Sequence, residues 1–133
     1  MTTFVDTSAF YALLTAEDEF NEGAARWLDT VSTESDEHLV THSYVVVETV
    51  SLVHRRLGAG MTRAFLEDLL PVCEIRFVDE PLHARATSAF LGGLGRRPSF
   101  VDRVSFELMR AARIRRAFAF DPDFGREGFE TVP

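Results

Sequence analysis

Asp6, Glu48, Asp102 and Asp121 are the residues of this 133-residue chain that carry the most chemistry. Four carboxylates brought together repel one another and titrate late unless a cation compensates them. Hard oxygen donors suit Mg2+ or Mn2+, and a cation so held favours hydrolysis of a phosphodiester. Three of the four also have a local structural explanation. Asp6, ahead of Thr7 and Ser8, is placed to cap a helix. Asp102 stands three after Ser99, the spacing of a capping box, and Asp121 before Pro122 suits a turn. Glu48 is harder to explain locally. It sits in Val45-Val46-Val47-Glu48-Thr49-Val50, with Tyr44, Val45, Ser51 and Leu52 as its helical neighbours. A buried carboxylate there costs roughly several kcal/mol without a partner, and the nearest arginine by helical spacing, Arg55, is two turns away.

The pattern along the chain supplies elements that would gather these acids. Thr3 to Val5 is a strand, followed by a helix from Ala9 to Leu14 behind the capping residues. Ala24, Trp27, Leu28 and Val31 form a helical stripe, and Ser32 to Glu37 is a polar loop. A second strand covers His38 to Thr41, and a helix runs from about Ser43 to Leu57 until Gly58 and Gly60 stop it. Thr62 is expected to cap a helix carrying Phe65, Leu66, Leu69 and Leu70 that ends near Pro71. Glu74 to Val78 is a third strand, and Pro81 opens a helix with Leu82, Ala86 and Phe90 on one face. A Gly-rich basic loop, Gly92 to Pro98, precedes a helix from Ser99 to about Arg113. Ala117 to Phe120 is a fourth strand ending at Asp121, and Phe129 to Val132 a fifth.

Strands alternating with helices imply a parallel sheet covered on both faces. Sites in open sheets of this kind lie beyond the carboxyl ends of the strands. Asp6 and Asp121, taken as strand ends, belong to that edge, and Glu48 and Asp102 lie near the starts of helices that leave or approach it.

Composition narrows the partners. The formal charge is −7 and the pI about 5, which argues against a protein that coats nucleic acid through basic surface. All 14 basic residues are arginine, with clusters at Arg55-Arg56, Arg96-Arg97 and Arg110 to Arg116. The lone Cys73 cannot form an internal disulfide. No apolar run is long enough to span a bilayer, and no secretory leader opens the chain, so a cytoplasmic protein forming one domain over residues 1–133 is expected. Zinc is disfavoured: His42 and His54 are twelve apart, and no His or Cys has zinc-like spacing.

Four pieces in order, Phe4-Val5-Asp6-Thr7-Ser8-Ala9, Glu48 in its hydrophobic helix, Ser99 to Phe106 around Asp102, and Ala119 to Phe124 followed by Gly128-Phe129, resemble the PIN-domain ribonucleases, and most nearly the VapC-type toxins of bacterial toxin–antitoxin pairs. The resemblance covers essentially the whole chain. It implies a three-layer α/β/α sandwich around a five-stranded parallel sheet. It also implies Mg2+- or Mn2+-dependent hydrolysis of RNA, a homodimer, and inhibition by a small cognate antitoxin. Asp6, Glu48, Asp102 and Asp121 match the family's acidic quartet and Ser8 a hydroxyl position beside the metal. Asp123 matches a variable fifth acid and equally suits a solvated turn. No determinant of RNA specificity can be matched.

Arg96, Arg97 and Arg103 border the expected site and are candidates for RNA phosphates, although ordinary solvated arginines are the better description of each. The helices Ala24–Val31 and Met61–Leu70 lack a sequence-adjacent cover and are expected to form an apolar groove for an antitoxin helix. Two other classes compete. A phosphotransfer domain also places an aspartate after the first strand, but such domains use a lysine, absent here, and the Asp-x-Asp pattern is missing. A PIN-like binding or regulatory module without catalysis would be favoured by loss of an acid, and none of the four is lost.

Overall fold

The computed structural model describes residues 1–34 and 36–133. Five parallel strands, β1 (Thr2–Val5), β2 (His38–His42), β3 (Glu74–Arg76), β4 (Arg116–Phe118) and β5 (Glu130–Val132), form one sheet in the order β3-β2-β1-β4-β5. The helices are α1 (Thr7–Leu14), α2 (Asn21–Glu34), α3 (Ser43–Leu57), α4 (Ala59–Ala64), α5 (Glu80–Gly92), α6 (Phe100–Ala112) and the short α7 (Asp123–Arg126). The strand order reverses after β3. Right-handed crossovers therefore put α1 to α4 on one face and α5 to α7 on the other, giving the three-layer α/β/α arrangement.

Alternation along the strands builds the two half-cores. Val5, Leu39 and Phe118 face α1 and α2, where Phe118 meets Trp27 at 4.5 Å between ring centroids. Phe4 faces the other way and stacks on Phe124 of α7, which meets Phe106 of α6 edge-on. Phe4, Phe10, Phe65, Phe106, Phe118 and Phe124 are all essentially inaccessible.

Most expected elements lie where the periodicity put them; the differences have local causes. Helix α2 runs on to Glu34, into the expected Ser32–Glu37 loop, of which Ser35 lies outside the described residues. Gly58, at φ +88°, ends α3 and starts α4 in one residue, a conformation that side chains with a Cβ rarely adopt. Gly60 therefore lies inside α4, and Thr62 is not its cap but an internal residue whose hydroxyl donates to the Gly58 carbonyl at 2.8 Å. Beyond Ala64 the chain widens into a π turn (Phe65–Leu69) and a 3-10 turn (Leu70–Val72), since Pro71 offers no N–H to continue the helix.

The expected apolar groove is mostly core. Ala24 and Phe65 are fully buried, and Phe65 packs on Phe10 at 5.0 Å. Only Leu66 and the following Val72 remain substantially exposed there.

β4 stops at Phe118, three residues before Asp121, which is thus a loop residue rather than a strand end. The Phe118 carbonyl receives the Asp6 N–H and Ala119 N–H donates to Val132. The next N–H, that of Phe120, turns to the Ser8 hydroxyl instead, and strand pairing ends.

Candidate active site

Each expected acid is delivered by a different element. Asp6 follows β1 directly and caps α1, its Oδ2 accepting from the Ser8 N–H at 3.1 Å and the Ser8 hydroxyl at 2.6 Å. The Ser8 oxygen also accepts from Phe120 N–H at 3.0 Å, so one hydroxyl joins Asp6 to the segment leading into Asp121. Asp102 completes a capping box with Ser99: Ser99 N–H donates to its carboxylate at 2.9 Å, and Asp102 N–H to the Ser99 hydroxyl at 3.1 Å. Capping and site placement are thus the same geometry, because the first turn of α6 must be anchored before its acid can be aimed. Asp121 accepts from Asp123 N–H at 2.9 Å, which folds the loop back so that both acids point the same way. Glu48 is half-buried on α3.

The tightest grouping differs from the expected quartet. Carboxylate oxygens of Asp102, Asp121 and Asp123 lie within 4.8 Å of one another, and Asp6 and Glu48 stand outside that set. Asp123, the loosely matched fifth acid, is only 4% exposed, salt-bridged to Arg126 at 2.9 Å with Arg97 at 3.8 Å, and is no solvated turn residue.

Asp6 and Glu48 are still close enough to be felt. Burial, opposed by the Ser8 hydroxyl and reinforced by the charges of Asp102 and Glu48, pushes the Asp6 carboxyl up to about 7. Burial likewise pushes Asp102 up to about 6, against the Ser99 hydrogen bonds and with repulsion from Asp121 and Glu48. Five acids from four segments therefore share one electrostatic neighbourhood. Its donors are all hard oxygens, and the mutual repulsion is of the kind a divalent cation relieves; the residues fit such an ion. A hollow of about 560 Å3 lies instead beside Met109, Arg113, Ile114 and Phe129, and none of the five acids lines it.

Two positioning features escaped the sequence. His42 is completely buried and caps α3, its Nδ1 accepting from the Tyr44 and Val45 N–H groups at 3.2 Å each. That assigns the proton to Nε2, which donates to the Ser105 hydroxyl of α6 at 2.8 Å; burial pushes the imidazole down to about 3, so it stays neutral. One ring thereby fixes the start of α3, which carries Glu48, against α6, which carries Asp102. Arg103 is the second. Rather than the solvated arginine that was the better expectation, its side chain is 13% exposed and bonded to Glu127 at 3.3 Å. Arg110 reaches the other Glu127 oxygen at 2.7 Å. The clamp ties α6 to the turn after α7 and opposes the repulsion between Asp102 and the Asp121–Asp123 loop. A His at the end of β2 and a Glu four residues after Asp123 were the sequence traces of these two features.

A parallel sheet in this order, with acids from β1, α3, α6 and the β4–α7 loop at its carboxyl edge, defines a class, and the family model of the PIN domain matches residues 3–130. The chain belongs to the PIN-domain family and, within it, to the VapC-type ribonucleases. It is 35% identical over 132 residues, 97% of this chain and 96% of the relative, to the 23S rRNA-specific endonuclease VapC20 of Mycobacterium tuberculosis. The crystal structure of that Sarcin-Ricin loop cleaving toxin superposes with a TM-score of 0.86 at 32% identity, over the full length of both chains. The fold is shared more widely: VapBC2 from Rickettsia felis matches at TM-score 0.73 with 12% identity, covering 98% of this chain and 97% of that one. FitAcB from Neisseria gonorrhoeae matches at 0.70 with 19% identity, covering 100% and 97%. Among the described residues no helix is long and apolar enough to cross a membrane.

Proposed function

We propose that the chain, as one PIN domain over residues 1–133, is a Mg2+-dependent endoribonuclease that cuts ribosomal RNA and serves as the toxin of a toxin–antitoxin pair; Mn2+ would serve in place of Mg2+. The observation that carries this reading is the convergence of Asp102, Asp121 and Asp123, with Asp6 and Glu48 within electrostatic reach, at the carboxyl edge of the sheet. The ribosomal substrate rests on the similarity to VapC20 over almost the entire chain.

In this reading Asp102 and Asp121 hold the cation, with Asp6 and the free oxygen of Asp123 completing its surroundings. Bound there, the ion supplies positive charge against the phosphate oxygens and makes water a better nucleophile at neutral pH. Glu48, outside the tight set, accepts the proton of the attacking water as its oxygen bonds to phosphorus, while the P–O bond to the leaving ribose oxygen breaks and that oxygen takes a proton from solvent. Ser8 holds Asp6 in one rotamer, and Arg97, which lies beside Asp123, neutralises the rim where the phosphate enters. The protein acts as a homodimer, and a small antitoxin silences it by bringing a guanidinium to the acids, since bidentate pairing with carboxylates competes with a cation.

Mapping of RNA ends in cells expressing the protein tests the proposal. The expected result is one new 5′ end in 23S rRNA, absent when the Asp102→Asn variant is expressed. Unchanged ribosomal RNA, with new ends in other transcripts, would move the substrate. No new ends anywhere, from protein shown to be folded, would reject the nuclease reading.

A further inference from the structure

The first turns of α3 and α6, which carry Glu48 and Asp102 further on, also hold a group of rings that the hydrolytic roles leave unused. Tyr44 stands one turn before Glu48 on α3, and Phe100 two residues before Asp102 on α6. Their rings stack with centroids 6.4 Å apart and planes at 28°. His83 of α5 closes a third side, 5.8 Å from the Tyr44 ring and 5.3 Å from the Phe100 ring. Phe90 supports Phe100 from below, edge-on at 5.6 Å.

The group is not ordinary core. His83 is exposed, and Tyr44 and Phe100 are only partly covered. The Tyr44 oxygen and His83 Nδ1 meet at 2.7 Å, which fixes the imidazole plane while leaving Nε2 with no partner among the described residues. An exposed ring held at a set angle on two others offers a flat face and a free polar edge. Tyr44 precedes Glu48 by four residues, about 6 Å along α3, which is on the scale of one step along a nucleic-acid strand.

Charge says what that face would hold. The chain carries 21 acids against 14 arginines. Of the arginines near this edge, Arg103 is committed to Glu127, Arg97 lies loosely beside Asp123 at 3.8 Å, and Arg96 is exposed. Two exposed arginines against the clustered acids leave phosphate contacts a small share of the binding at this edge. Stacking of a base on aromatic rings needs no charge, and it is the usual way proteins hold unpaired RNA.

We propose that Tyr44, His83 and Phe100 form a base-binding subsite that takes one unstacked nucleobase next to the cleaved phosphate, the base lying flat on the exposed His83 ring. The substrate class is then RNA with a looped-out or single-stranded base at the cut, and a continuous duplex is excluded. This rests on the nuclease reading above for the position of the cleaved phosphate, but the stacking can be read without turnover.

Two measurements on the purified full chain test it, with His83→Ala and Tyr44→Phe, the latter removing only the hydroxyl that orients the imidazole. The first follows 2-aminopurine fluorescence in a single-stranded RNA 12-mer with EDTA present. Wild type should quench the probe, and His83→Ala should need roughly tenfold more protein for the same quench. The second uses the RNA fragment spanning the mapped cut. His83→Ala should raise KM about tenfold with kcat within twofold, and removing the flanking base from the RNA should bring wild type to the same KM. Equal quenching by wild type and His83→Ala, or an unchanged KM on the intact fragment, overturns the subsite. A wild type that quenches the probe but cleaves no RNA rejects the nuclease reading and leaves the subsite standing.

Discussion

Replacing Asp6 by Asn removes a charge that the fold disfavours, and the size and pH dependence of the gain follow from its surroundings. In the unfolded chain the carboxyl ionises near 3.8, whereas in the fold it keeps its proton until about 7, chiefly through burial. Between those values the folded state binds the extra proton, so this group's contribution to stability falls as pH rises through the window. At 1.36 kcal/mol per pH unit, about three units amount to ~4 kcal/mol lost by pH 8. Asp102, raised to about 6, adds a loss of the same sign over a narrower range, but the two titrations are coupled and do not simply add. Asn retains an oxygen for the Ser8 N–H and hydroxyl, so the cap survives. In EDTA at pH 8, Asp6→Asn should therefore melt ~14 °C above wild type, taking ~2.1 cal/mol/K of unfolding entropy per residue over the 133 residues. At pH 4 the two should nearly coincide. Millimolar Mg2+ should raise the wild-type Tm at pH 8 by mass action and the variant's by less. Calorimetry across pH 4 to 8, with and without Mg2+, reads all of this. A gain that shrinks as pH rises, or no gain at pH 8, would refute the argument that burial and repulsion govern Asp6.

Three other outcomes follow from the same geometry. Asp102→Asn and Asp121→Asn should each abolish RNA cleavage while circular dichroism and gel filtration stay as in wild type; a folded variant cutting at the wild-type rate would remove that acid from the mechanism. His42→Ala strips the partner from two backbone N–H groups and from Ser105 and opens a cavity under Phe4, so a loss of roughly 2–5 kcal/mol is expected in urea melts, and a loss below about 1 kcal/mol would count against its bridging role. Gly93→Ala would set a Cβ 2.8 Å from Nη2 of the Arg103 guanidinium, whose Nη1 bonds to Glu127. The expected cost is about 1–3 kcal/mol, together with weaker Mg2+ stabilisation as the clamp on α6 loosens, and an unchanged Tm with unchanged Mg2+ response would show that Arg103 moves aside freely.

The parts of this molecule legible in the sequence are those set by local pattern. The α3 span from Ser43 to Leu57, the Ser99–Asp102 box and the Asp6 cap follow from periodicity and capping chemistry within a few residues. What escaped depends on contacts far apart in the chain. Asp121 looked like a strand end because it follows the short apolar run Ala117 to Phe120, yet Ser8, 112 positions earlier, takes the Phe120 N–H and breaks the ladder. Asp123 enters the tight set through a short helix, α7, too brief to leave a periodic trace. Arg103 looked free because its partner Glu127 is 24 residues on. His42 joins two helices 63 residues apart through one imidazole.

The most direct test of an acid-held cation that cleaves RNA is the rate at which purified protein cuts 23S rRNA after exhaustive EDTA treatment and then on titration with Mg2+. Metal-dependent chemistry at Asp102 and Asp121 requires no cutting in EDTA and a rate that rises and saturates with Mg2+. Cutting that persists undiminished in EDTA, at the same site and by protein free of contaminating nuclease, would contradict it.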